Sequence, residues 1–260
     1  MISTKDITLA FGHKKLFEHV TILFSPGNVY GIIGANGTGK STFLKILSGE
    51  QSADKGTIAI DPKAKLGWLR QDHFRYDNET VLNTVYQGDQ KLWKIMKARE
   101  DLYAKGDLSD DEANRLGELE GEFMEIDGYS AEAKAGELLH GLGIPDQYFN
   151  TLMKEIPTNY KFRVLLAQIL FLRPEVMLLD EPTNNLDIKT IGWLENFLQE
   201  YEGTILIVSH DRHFLNAVCT HICDIDYAEI RTYTGDYDYY QHASNIARDQ
   251  KLTEQARKEK

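Results

Sequence analysis

The stretch Gly34-Ala35-Asn36-Gly37-Thr38-Gly39-Lys40-Ser41-Thr42 restricts what this chain can fold into more than any other, because Gly34, Gly39, Lys40 and Ser41 fit the pattern Gly-x-x-x-x-Gly-Lys-Ser/Thr. It follows the β-branched run Val29 to Ile33 and precedes Phe43-Leu44-Lys45-Ile46-Leu47, whose apolar spacing is helical. Strand, loop and helix in that order make a phosphate cradle. Glycines let backbone amides turn inward around phosphate oxygens, and the start of a helix adds partial positive charge. Lys40 is placed to reach the β- and γ-phosphates of ATP, and Ser41 to offer its hydroxyl to Mg²⁺.

A second apolar run, Val176-Met177-Leu178-Leu179, ends in Asp180-Glu181. Such a run suits a central parallel strand covered on both faces. It would deliver Asp180 to the solvent shell of the metal and Glu181 toward the γ-phosphate. Phosphoryl transfer to water needs positioning, charge neutralisation and a group that orients or deprotonates the nucleophile. Glu181 is the candidate base.

The remaining pattern is mixed α/β. Strands are predicted at Ile7 to Phe11, Val20 to Phe24, Thr57 to Ile60 and Leu66 to Leu69. From about Val81 to Gly143 helices take over. Leu92, Met96 and Tyr103 fall on or near one face of a first helix, and Ser109-Asp110-Asp111-Glu112 is a capping box that opens a second. The stripe Leu116, Leu119, Phe123 and Ile126 completes that second helix, so the two predict a hairpin. A third helix runs from near Ser130 to the Gly141-Leu142-Gly143 stop. Further helices are expected from about Lys161 to Leu172 and Ile188 to Tyr201, with strands at Thr204 to Ser209, Ile222 to Ile225 and Glu229 to Tyr233. Tyr237 to Lys260 reads as a helix leaving the domain.

Composition narrows the function. With 260 residues, 42% hydrophobic and 27% charged, the chain has enough material for one large domain, or one domain with an insertion. No stretch approaches the ~20 apolar residues of a membrane helix. The N-terminus lacks a basic region followed by an apolar block, so a cytoplasmic protein is expected. A formal charge of -11 excludes a surface given over to nucleic acid, since phosphate neutralisation needs clustered Lys and Arg; any such contact is local. Cys219 and Cys223 flank His221 but lack the second ligand pair usual at zinc sites, and are read as buried thiols.

Asp180-Glu181-Pro182-Thr183-Asn184-Asn185-Leu186-Asp187, with Ser209-His210-Asp211-Arg212 downstream, resembles the ABC-F family of ATP-binding cassette ATPases over nearly the whole chain. That family usually reads Asp-Glu-Pro-Thr-Asn-His-Leu-Asp here, whereas membrane transporters more often carry Ser-Ala at the place of Asn184-Asn185. Gln71-Asp72, Met124 to Glu132 and Asn184-Asn185 are similar to one bacterial subgroup. The resemblance implies an α/β, P-loop NTPase fold of the ABC type. Its expected parts are an N-terminal antiparallel β subdomain, a mostly parallel core sheet and an inserted α-helical subdomain with a short hairpin arm. It places the ATPase domain at 1–236, the insertion at about 81–158, and the start of a helical linker to a second cassette at 237–260. By the same likeness Gln71 touches Mg²⁺ and the attacking water, His210 contacts the γ-phosphate, and Phe11 stacks on adenine. The implied activity is ATP hydrolysis, weak in an isolated half. The implied partners are a second cassette and the ribosome, through rRNA or tRNA, with no membrane. The alternative is the nucleotide-binding subunit of a membrane transporter.

The chain departs from the family where the signature Leu-Ser-Gly-Gly-x is expected, reading Ile156-Pro157-Thr158-Asn159-Tyr160 before a family-like Lys161-Phe162-Arg163-Val164. Pro157 has no N–H, and Thr158 and Asn159 carry Cβ atoms where backbone should approach a nucleotide closely. The composite site completed by this segment is therefore expected to hydrolyse poorly while still closing. In the inserted arm, Lys91, Lys94, Lys97 and Arg99 with Trp93 are candidate phosphate and stacking contacts.

Overall fold

Val29–Gly34 forms a strand because four of its six residues are buried, with apolar and glycine positions facing both covering layers (β3). The computed structural model describes residues 1–69 and 74–246, with the backbone alone at Phe11. Elements in chain order are β1 (Ile2–Phe11), β2 (Lys14–Phe24), β3, α1 (Lys40–Ser48), β4 (Lys55–Ile60), β5 (Leu66–Trp68), α2 (Val81–Tyr86), α3 (Gln90–Lys105), α4 (Asp110–Glu125), α5 (Ala131–Gly141), α6 (Thr158–Leu172), β6 (Val176–Asp180), α7 (Ile188–Gln199), β7 (Thr204–Val208), α8 (Arg212–Val218), β8 (His221–Asp226) and β9 (Glu229–Thr234). The chain divides into two compact units.

The first unit comprises Met1–Trp68, Pro174–Asn184 and the chain from Leu194 on. It holds a three-stranded antiparallel sheet, β2-β1-β4, and a six-stranded sheet ordered β5-β6-β7-β3-β8-β9. In the larger sheet every pair is parallel except β8 with β9. This is the antiparallel subdomain and mostly parallel core sheet expected from the sequence. Between them runs α1, whose Phe43, Leu44, Ile46 and Leu47 are at most 1% exposed and share one core with Phe17 and Phe24. The Phe43 ring lies 5.5 Å from Phe17 and 6.4 Å from Phe24, within the range of favourable tilted aromatic pairs. Strands β6 and β7 are buried at every position, as their uninterrupted apolar sequence requires. Cys219 and Cys223 are free, buried thiols, and burial holds Cys223 up at about 12.

The second unit, Leu69–Arg173 with Asn185–Trp193, is helical. Helices α2, α5 and α6 contribute its core, including Val81, Val85, Leu139, Val164 and Leu166. Gly88 lets α6 approach, since a Cβ there would lie 2.2 Å from the Gln168 carbonyl oxygen. Helices α3 and α4 form the hairpin, and α4 begins with the capping box of Ser109 and Glu112. Two expectations need correction. The helix expected from Lys161 begins at Thr158, because Pro157, extended at φ -55 and ψ 141, stands as its N-cap. Helix α8 went unrecognised in the sequence; it is short and starts where the Asp211 carboxylate accepts from Phe214 N–H.

One of the arm's four candidate basic contacts, Arg99, is engaged within the hairpin itself. Arg99 donates to Glu120 through Nε at 2.8 Å and Nη2 at 3.1 Å, and lies 3.8 Å from the centre of the Phe123 ring. Tyr103 and Tyr129 donate to the same carboxylate at 2.7 and 2.5 Å. These bonds, Arg99's first, hold Glu120 down at about 2, against an ordinary 4.5. A depressed carboxyl adds stability that is complete above pH 4.5 and is lost as pH falls toward 2. A carboxyl-carbon NMR titration should therefore give Glu120 a midpoint near 2, and Arg99→Met should move it up toward 4.5. A wild-type midpoint near 4.5 would contradict the clamp.

Candidate functional site

The loop after β3 turns on two glycines. Gly34 has φ 147, and a Cβ there would lie 2.6 Å from the Ile225 carbonyl oxygen. Gly39 has φ 102, and its Cβ would meet Phe17 Cζ at 2.7 Å. Both positions exclude side chains on conformation and space alike. Gly39 is also the N-cap of α1, so no side-chain oxygen covers the helix's first-turn N–H groups. Lys40, 8% exposed, curls back so that its Nζ donates to the Gly34 carbonyl at 2.9 Å and to the Ala35 carbonyl at 3.2 Å. Thr38 Oγ1 donates to the Ala35 carbonyl at 2.9 Å, tightening the turn. Ala35, Asn36, Gly37 and Ser41 are exposed and Thr42 is half-buried. A glycine backbone this close to its surroundings, an uncapped helix start and a buried lysine suit a polyphosphate chelated to a hard cation. Lys14, which no motif marked, donates to the Gly37 carbonyl at 2.9 Å from β2.

Two neighbouring strands bring acid and imidazole together. Asp180, 9% exposed, ends β6 and pairs in register with Val208 of β7. At Glu181 the backbone leaves the strand in the left-handed region, φ 51, held by its own N–H donating to the Val208 carbonyl at 2.8 Å. A non-glycine residue there is strained, and such strain collects at functional sites. The turn after β7 is fixed by Ser209 Oγ, which accepts from Asp211 N–H at 3.1 Å. It sets the His210 N–H 3.3 Å from Glu181 Oε2, and His210 Nε2 3.4 Å from Oε1. Burial pushes the Glu181 carboxyl above its ordinary 4.5; the charge of Asp180 adds to this, while His210 and the Lys40 ammonium oppose it.

Gln71 lies outside the described residues, as does the Phe11 side chain. The segment in the place of the signature, Pro157, Thr158 and Asn159, is exposed at the head of α6 and has no side-chain cap. One turn on, Lys161 Nζ stands 3.6 Å from the Asp77 carboxylate and Arg163 is 6% exposed.

The sign of the Glu181 shift gives a test. A carboxyl whose folded value is raised binds more protons in the folded state, so ionising it destabilises the fold as pH rises past 4.5. Thermal unfolding without nucleotide should show Glu181→Gln gaining on the wild type as pH rises past 4.5. A pH-independent difference would remove burial as the cause.

The sequence matches the family described as ABC transporter over residues 17–184. It is 49% identical over 258 residues to the Probable ATP-binding protein YbiT of Escherichia coli O157:H7, covering 99% of this chain and 49% of that one. It is 48% identical over 260 residues to the Uncharacterized ABC transporter ATP-binding protein YkpA of Bacillus subtilis strain 168, covering 100% and 48%. The chain thus spans about half the length of these curated relatives. Among solved structures, an ATP-binding subunit of an ABC transporter superposes with a TM-score of 0.67 at 17% identity, covering 95% of this chain and 94% of its own. The dimeric ATP-binding cassette MJ0796 with ADP and Pi gives 0.62 at 21%, covering 90% and 98%, and both likenesses establish the fold. With the family match extending from β2 through the loop at Gly34 to the segment after Glu181, the chain belongs to the ABC transporter family of ATP-binding cassettes.

Proposed function

We propose that the chain is the ATP-binding and hydrolysing cassette of an ABC-F protein that acts on the ribosome to modulate translation. The observation that carries the ATPase part is the meeting of Glu181 and His210 at the ends of β6 and β7, within electrostatic reach of Lys40. The amides of residues 34–42 and the Lys40 ammonium bind the phosphates. Ser41, Gln71 and Asp180 are the residues that would hold Mg²⁺, which when bound would supply charge neutralisation for phosphoryl transfer. Glu181 takes the proton of the attacking water, and its raised affinity for protons suits that work. His210 orients that carboxylate and reaches the γ-phosphate, while Phe11 stacks on the base.

The ABC-F assignment rests on Asn184-Asn185 after the acidic strand end and on the α3–α4 hairpin within the helical unit. Among the described residues no helix is long and apolar enough to cross a membrane. A second cassette, joined through the segment beyond residue 236, completes the ATP site in this reading. Binding ATP better when closed than when open then drives closure, and hydrolysis resets it.

In calorimetry with Mg²⁺, Lys40→Ala should abolish ATP uptake; unchanged uptake removes the foundation. The full-length protein with the catalytic glutamate of each cassette changed to glutamine should sediment with ribosomes in ATP. Sedimentation with membranes instead would favour a transporter subunit. Rebuilding Pro157-Thr158-Asn159 as Ser-Gly-Gly should raise turnover at the composite site by about tenfold or more, since each well-placed donor to a phosphoryl group is worth at least that. No gain would leave the weakened signature without a catalytic consequence.

A further inference from the structure

The tip of the phosphate loop is held from outside the loop. Nearer its ends the carbonyls find local partners: Gly34 and Ala35 accept from Lys40 Nζ, Ala35 also from Thr38 Oγ1, and Gly39 from Phe43 N–H at 2.7 Å. The Gly37 carbonyl, on the exposed turn between them, accepts from Lys14 Nζ at 2.9 Å, across 23 residues of sequence. A trans peptide plane carries its N–H on the side opposite its carbonyl. Here that N–H belongs to Thr38 and closes the turn onto the Ala35 carbonyl at 3.3 Å. A donor that fixes the Gly37 carbonyl therefore fixes the turn. Gly37 itself, at φ 78, reaches this conformation without strain but has no side chain to keep it there.

The register of β2 explains why a lysine stands at that place. Lys14 follows the two-residue turn Gly12-His13 and pairs with Phe11. Further along, Ala10 pairs with Lys15 and Leu9 with Phe17, so Leu16 is an extra residue, a bulge. Bulges re-aim side chains, and this one turns both Leu16 and Phe17 inward, at 7% and 0% exposure. Those are the two side chains that a Cβ at Gly39 would meet, at 3.2 and 2.7 Å. One strand thus bears on the loop twice, by apolar packing at Gly39 and by a charged donor at Gly37, and all of these residues belong to the first unit.

We propose that Lys14 is a positioning residue for nucleotide binding. Its ammonium latches the loop in the shape that receives phosphates before ATP arrives, so that little of the binding free energy goes into ordering the loop. The inference rests on the ATP-binding reading above.

The test uses the 260-residue chain with Mg²⁺, in calorimetry with ATP and ADP and in amide hydrogen exchange without nucleotide. Lys14→Met keeps the reach of the side chain and removes the donor. It should weaken binding of both nucleotides by about five- to tenfold and speed exchange across residues 35–39 by a similar factor. Tm should stay nearly unchanged, because Lys14 is exposed. Lys14→Arg retains a charged donor and should bring both readouts back to within about twofold of the wild type. Lys15→Met removes the same charge one residue on, where the ammonium is paired with Glu18 at 2.6 Å, and should alter neither. Wild-type affinity or wild-type exchange in Lys14→Met, no rescue by arginine, an equal loss in Lys15→Met, or a loss that comes with a large fall in Tm would each overturn the proposal. Failure of the underlying reading looks different: the wild type itself would take up neither nucleotide, while faster exchange at residues 35–39 in Lys14→Met would still reveal the latch.

Discussion

The backbone of the loop from Gly34 to Gly39 has to pass where no side chain fits, and the rest of the first unit is arranged around that passage. Ile225 closes on one glycine and Phe17 on the other, so β8 and β2 both bear on the loop. The same Phe17 packs on Phe43 of α1, which ties the phosphate loop to the aromatic centre of the core. Strand β3 lies between β7 and β8, and β7 lies beside β6, so the loop, Asp180-Glu181 and Ser209-His210 all follow carboxyl ends of adjacent parallel strands. That is where open α/β sheets place their ligands.

Electrostatics at those strand ends is a balance of burial against nearby charge. Glu181 loses water by burial and gains only long contacts to His210, so its proton is held more tightly than in solution. Glu120 shows the opposite case, where an arginine and two tyrosines converge on an accessible carboxylate and hold its proton off. One geometry suits a group that must exchange a proton; the other suits a fixed strut.

What was legible in the sequence follows from how local each constraint is. The phosphate loop, the acidic strand end and the capping box at Ser109 are set by neighbours within a few residues, and each stands where the spacing put it. Helix α6 starts three residues ahead of the apolar spacing because Pro157, whose ring fixes φ near -55, stands as its N-cap. Arg163, Lys14 and the clamp on Glu120 depend on partners 9 to 27 residues away in sequence, and periodicity carries no signal for these. The four basic residues counted on α3 illustrate the same blindness: two of them, Lys97 and Arg99, face carboxylates.

That last feature reaches further than the arm's own stability. From Gln90 to Glu125 the hairpin carries six basic and ten acidic side chains. Lys97, Arg99, Lys105 and Arg115 are each engaged with a glutamate. The exposed Lys91 and Lys94 remain as a narrow cationic edge beside Trp93. An RNA strand gripped there would displace only about one or two condensed counterions, giving a log–log slope of roughly -1.5 against salt. With so few free cations, any hold on such a strand would have to come from shape and stacking, and would survive ionic conditions that strip a basic tail from the same surface.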